Sequence, residues 1–253
     1  MEIRLRTSPK DATGYEIMWS ALGKKGTPYI AIATWDGPGS KPPHYTILKS
    51  LKGPEYGVAT GDVVKGMIVG HTITAYTNGR LQFQITDGTF STGNPGFGFN
   101  EGPSGTYGIT SFTASDMVSG TRDTVGSLSG TTYATNFPLT EDPISEGGKW
   151  INGKKDGLDW ADVQTTAGFV FGTEIGGDRP ELQKCDDSTA LLTGSWRPNQ
   201  TAQATVHRVN KDDDNIYQEV ELRLRSSLSP HNATGYEVTV SYTHLRAHET
   251  GRN

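Results

Sequence analysis

The stretch EIRLRTSPKDATGYEI begins at Glu2, and ELRLRSSLSPHNATGYEV, close to it in sequence, begins at Glu221. Glu2, Arg4, Leu5 and Arg6 match Glu221, Arg223, Leu224 and Arg225. After a two-residue difference in loop length, Ala12, Thr13, Gly14, Tyr15 and Glu16 match Ala233, Thr234, Gly235, Tyr236 and Glu237. In the first copy Ile3 and Leu5 face one way and Glu2, Arg4 and Arg6 the other, the period of a half-buried strand. A chain with one strand at both ends holds two claimants for one place in a sheet. Residues 136–241 read as the first half of a domain and residues 1–115 as its second half, overlapping by one hairpin. The expectation is an intramolecular sandwich. The surplus copy would then pair at an edge, hang loose or insert into a neighbour, so a domain-swapped homo-oligomer is the second expectation.

The intervening pattern is all-β. YEIMW and YIAIATW alternate in the same style between Gly/Lys and Gly/Pro punctuation. DVVKGMIV, HTITAYT and LQFQIT are divided by Gly70 and by Asn78 and Gly79, and Asn-Gly supplies the positive φ angles that a two-residue hairpin turn demands. Phe97, Phe99, Ile109 and Phe112 punctuate a Gly-rich segment, as short core strands do. Residues 116–135 are rich in Ser, Thr and Gly and read as a flexible linker. Beyond it, strands are expected at 168–173, 190–197, 202–209 and 217–225.

Composition excludes several classes. With 23 Lys+Arg against 28 Asp+Glu, the net charge of -5 gives no drive toward nucleic acid or anionic lipid. No apolar run approaches the roughly 20 residues of a membrane span, so no membrane partner is expected. The single cysteine, Cys185, excludes an internal disulfide, and its neighbours Asp186 and Asp187 disfavour a reactive thiolate. Two sequons, at Asn199 and Asn232, matter only along a eukaryotic secretory route.

Taken in rotated order, NFPLTEDPISEGGKW, GYEI followed by YIAIATWDGPG, the GDVVKGMIVGHTITAYTNG hairpin and GNPGFGF before YGITSFTAS resemble the concanavalin A-like or laminin-G-like jelly rolls of bacterial and phage proteins from environmental sequence. The order is circularly permuted or cut mid-repeat. The resemblance implies a jelly-roll β-sandwich of two antiparallel sheets and an extracellular or virion-associated setting. The end, VSYTHLRAHETGRN, breaks the internal alignment and looks like translated sequencing-adapter read-through, so residues 242–253 are expected to be a non-native tail. His244 and His248 within it have the i, i+4 spacing of zinc ligands on a helix, without an identifiable third ligand.

Function is expected to be glycan binding or surface attachment without catalysis. Aromatic rings offer flat platforms for a pyranose, and Arg, Asp or His reach its hydroxyls. The candidates are Trp35, Asp36, His44, Tyr45, Trp160, Trp196 and Arg197, with Trp35 foremost because Asp-Gly-Pro-Gly places it at a strand's mouth. Alternation assigns Trp19 to the core with Tyr15 and Ile17, and Trp150 is expected to pack as well. Asp212 and Asp214, in the loop KDDDN, are candidate ligands for Ca²⁺, which often accompanies sandwiches of this resemblance; the loop lacks the 1-3-5 spacing and terminal Glu of a dedicated calcium loop. The competing readings are a polysaccharide-degrading enzyme, hydrolase or lyase, and a structural repeat. The Glu-x-Asp-x-x-Glu run of laminarinase-like sandwiches is missing, and ELRLR is only superficially similar to an arginine-bearing lyase strand.

Overall fold

A computed structural model of the chain describes residues 13–20, 27–36, 45–100, 105, 107–117, 130–152, 161–173, 188–208, 219–229 and 232–234. Their strands, in chain order, are β1 (Thr13–Ser20), β2 (Tyr29–Asp36), β3 (Tyr45–Lys52), β4 (Val63–Val69), β5 (Thr72–Thr77), β6 (Arg80–Thr86), β7 (Asn94–Asn100) and β8 (Tyr107–Met117). They continue with β9 (Thr132–Thr135), β10 (Trp150–Asn152), β11 (Val163–Thr166), β12 (Phe169–Gly172), β13 (Ser188–Leu192), β14 (Asn199–Arg208), β15 (Glu219–Ser229) and β16 (Asn232–Thr234). The only helical piece among the described residues is the 3-10 turn Pro54–Tyr56.

The molecule is an all-β sandwich. One sheet runs β10-β13-β7-β15-β1-β2-β3, with β16 also on β15; the other runs β11-β12-β8-β14-β4-β5-β6, with β9 also on β8. All pairings between these strands are antiparallel. Strands early and late in the chain interleave in both sheets: β15 lies between β7 and β1, and β14 between β8 and β4.

Local chemistry accounts for the connections. Asn78 and Gly79, at φ 51 and 75, turn the chain between Thr77 and Arg80, the positive-φ pair a twisted hairpin needs. The Asn78 side chain locks the turn, accepting from the Val63 amide and donating to Asp62, each at 2.8 Å. In β7, Gly96 admits the neighbouring strand, since a Cβ there would stand 2.3 Å from the Ala190 carbonyl oxygen.

Two expectations need correction. The stretch read as a linker over 116–135 is structured at both ends: β8 runs on to Met117, and Thr132–Thr135 pairs with it as β9, leaving 118–129 outside the described residues. The strand expected over 190–197 stops at Leu192, because residues 193–198 carry the chain from one sheet to the other.

The core closes on an aromatic cluster. Phe97 of β7 lies 5.2 Å from Phe112 of β8 and 4.9 Å from Trp150 of β10, ring centre to ring centre, with Phe137 at 6.0 Å. Its rings therefore come from both sheets. Trp19, fully buried, donates its indole N–H to Thr77 across the sandwich at 2.8 Å, as its assignment to the core required. Phe97→Ala is expected to cost roughly 3–5 kcal/mol of unfolding free energy, read by urea denaturation; a loss below about 1 kcal/mol would place the core elsewhere.

Candidate functional site

Alternation along β8 turns Phe112, Ala114 and Asp116 inward, and along β14 it turns Ala204, Ala202 and Gln200 inward to meet them. The last pair, Gln200 opposite Asp116, is polar and buried, so the core ends in polar groups at one end of the sandwich. A buried carboxylate has to be matched by donors. Asp116 accepts from the Thr131 amide at 2.8 Å, the Arg197 amide at 2.9 Å and the Arg197 guanidinium at 3.4 Å. Its side chain is 1% exposed while that of Arg197 is 49% exposed, so the pair anchors a surface guanidinium on an interior charge.

Gln200 holds the same loop from beneath. Its Nε2 donates to the carbonyls of Gly93, at 2.6 Å, and Arg197, at 2.9 Å. Its Oε1 is buried with no hydrogen-bond partner among the described residues. Trp196, between these anchors, is half-buried, rests against the core and donates its indole N–H to the Thr193 carbonyl at 3.1 Å. Asn199, the first sequon asparagine, is buried and accepts from the Gly70 amide at 2.9 Å, so in the folded chain its side chain is engaged inside.

Strand register carries other expected residues to this end. Trp35 pairs with Gly14 and Tyr45, and Asp36 with Thr13. From there the ladder runs through Tyr15 opposite Leu224 and Ser226 opposite Asn94. Asn94 in turn donates to the carbonyls of Leu192, at 2.8 Å, and Gly194, at 3.1 Å, in the loop that bears Trp196 and Arg197. Trp35, Asp36 and Tyr45 thus lie at the same end of the sandwich as Trp196 and Arg197. Four strand spacings separate β2 from β13, roughly 19 Å. His44, Trp160, Asp212, Asp214, Cys185, His244 and His248 lie outside the described residues. Among the described residues, no three His, Cys, Asp or Glu side chains gather as a metal site would require.

Asp116 was not legible as a site residue because it fell in the stretch read as a linker. The continued alternation Phe112, Ala114, Asp116 is the signal that reveals it.

A second polar cluster lies in NFPLTEDPISEGGKW. The Glu141 carboxylate accepts the Ser145 amide at 3.0 Å and the Glu146 amide at 2.9 Å, closing the turn between them. Glu146, held at φ 43, receives the Tyr133 and Thr135 hydroxyls and, at 2.9 Å, the Trp150 indole N–H. Both carboxylates are thereby committed to local donors. Burial, and then the adjoining Glu146 carboxylate, push the Tyr133 hydroxyl well above the usual tyrosine range.

No protein-family model matches the chain, and no curated protein matches it.

Because the folded state holds the Tyr133 proton more tightly than the unfolded chain, its contribution to stability is complete below the unfolded value near pH 10. It is lost as pH rises from there toward the higher folded value. Urea midpoints measured from pH 8 to 11.5 should fall more steeply above about pH 10 in the parent than in Tyr133→Phe; parallel falls would contradict the assignment.

Proposed function

We propose that this chain is a non-catalytic, glycan-binding or surface-attachment module, a jelly roll of the concanavalin-like or laminin-G-like kind, with an extracellular or virion-associated role. The observation that carries the reading is the register that gathers Trp35, Asp36, Tyr45, Trp196 and Arg197 at one end of the sandwich although they are scattered through the sequence. Aromatic residues at each pole, about 19 Å apart in strand spacings, suit an extended saccharide better than a compact one. The rings supply apolar faces for sugars, while Arg197 and Asp36 supply a donor and an acceptor for hydroxyls.

Binding is favoured over hydrolysis by the way three carboxylates of the sandwich are used. Glu141, Glu146 and Asp116 each satisfy backbone or side-chain donors that hold loops in place, an occupation that competes with acid or nucleophile chemistry.

A glycan-array screen followed by titration of the best ligand tests this reading. Trp196→Ala and Trp35→Ala should each weaken binding roughly tenfold, which corresponds to about 1.4 kcal/mol, with unfolding midpoints showing both chains folded. Absence of binding to any glycan, or affinity unchanged by both substitutions, would refute the site.

A further inference from the structure

The strand between β7 and β1 is the later copy of the duplicated sequence, whereas β1 belongs to the earlier copy. The two form an antiparallel ladder drawn from both copies. Its register sets Leu224 against Tyr15, Arg223 against Glu16, Leu222 against Ile17 and Glu221 against Met18. On its other edge, Leu222 faces Phe97 and Arg223 faces Gly96. Aligning Glu2 with Glu221 would put Leu5, Arg4, Ile3 and Glu2 at those same positions. Arginine would again meet Glu16, and Ile3 would replace Leu222, whose side chain is fully buried. Apolar exchanges of equal volume are the kind a core tolerates best.

The neighbouring strand is not exchangeable in the same way. β1 buries Trp19 completely, and the residue matching it in the later copy is Val240, which would leave an indole-sized void. β1 is therefore the fixed partner, and the strand beside it is the variable one. In sequence only residues 7–12 separate residues 2–6 from β1, a spacing short enough to close a hairpin at small entropic cost.

We propose that the place between β7 and β1 is a strand-exchange site, filled by β15 and open also to residues 2–6 of the same chain. Occupation by residues 2–6 releases β15 without loss of the sandwich, because it supplies again the rungs opposite Tyr15, Glu16, Ile17 and Met18 on β1 and Gly96, Phe97 and Gly98 on β7, together with an apolar residue at the buried place of Leu222. The inference is independent of glycan binding.

Disulfide trapping in the full chain, with Cys185→Ser, tests it. In that background Glu16→Cys with Arg223→Cys should cross-link within the monomer. Adding Leu222→Pro and Leu224→Pro disables β15, since proline removes ladder donors from a central strand. This chain should keep a cooperative unfolding transition, and Glu16→Cys with Arg4→Cys should now cross-link within the monomer. Ile3→Pro with Leu5→Pro alone should leave the midpoint unchanged, and all four prolines together should abolish the transition. Loss of the fold in the Leu222→Pro, Leu224→Pro chain, a cross-link to Arg4→Cys that forms only between chains or not at all, or a folded four-proline chain would each overturn the proposal.

Discussion

The structure depends on β14 being hydrogen-bonded along both edges to strands from much earlier in the chain, β8 on one side and β4 on the other. Its inward row is Gln200, Ala202, Ala204 and Val206, and each of the first three sits in a row with a β4 and a β8 residue: Ile68 and Asp116, Gly66 and Ala114, Val64 and Phe112. The small side chains of β14 leave room over the sheet centre, while Phe97 and Trp150 reach Phe112 from the opposite sheet. Neither the earlier nor the later strands carry a complete sheet. Burial of apolar area, which drives such folding, is realised only when both are in place.

That dependence explains why polar residues are tolerated inside. At the end of the β8 and β14 rows the sandwich meets the 193–198 connection, whose backbone needs partners as it leaves one sheet for the other. Asp116 and Gln200 supply them, accepting the Arg197 amide and donating to the Arg197 carbonyl. The same contacts hold Trp196 and Arg197 at the surface. A loop positioned by a rigid interior is where recognition residues commonly reside, so the stability of this end and its proposed use share one set of bonds.

Much of the fold was legible because it is local. Alternation marked β1, β2 and β4–β6, Asn78 and Gly79 announced their turn, and the face shared by Tyr15, Ile17 and Trp19 put that tryptophan inside. What the sequence left hidden depends on distant pairing. Residues 132–135 look like linker by composition and become β9 only because β8 offers an edge. Asp116 reads as a solvated carboxylate until β14 lies beside it. That Trp35 and Trp196 lie at the same end follows from a ladder through β1, β15, β7 and β13, and no periodicity along the chain reports which strands are neighbours. Glu146 owes its setting to Tyr133 and Trp150, brought together by the same long-range closure.

Native-state hydrogen exchange across low concentrations of denaturant tests most directly whether early and late strands form one cooperative core. Amides of β4 and β8 should merge with those of β14 into a single unfolding isotherm, with equal free energy and equal denaturant slope. Separate isotherms for β4 with β8 and for β14, each with its own slope, would contradict a shared interior.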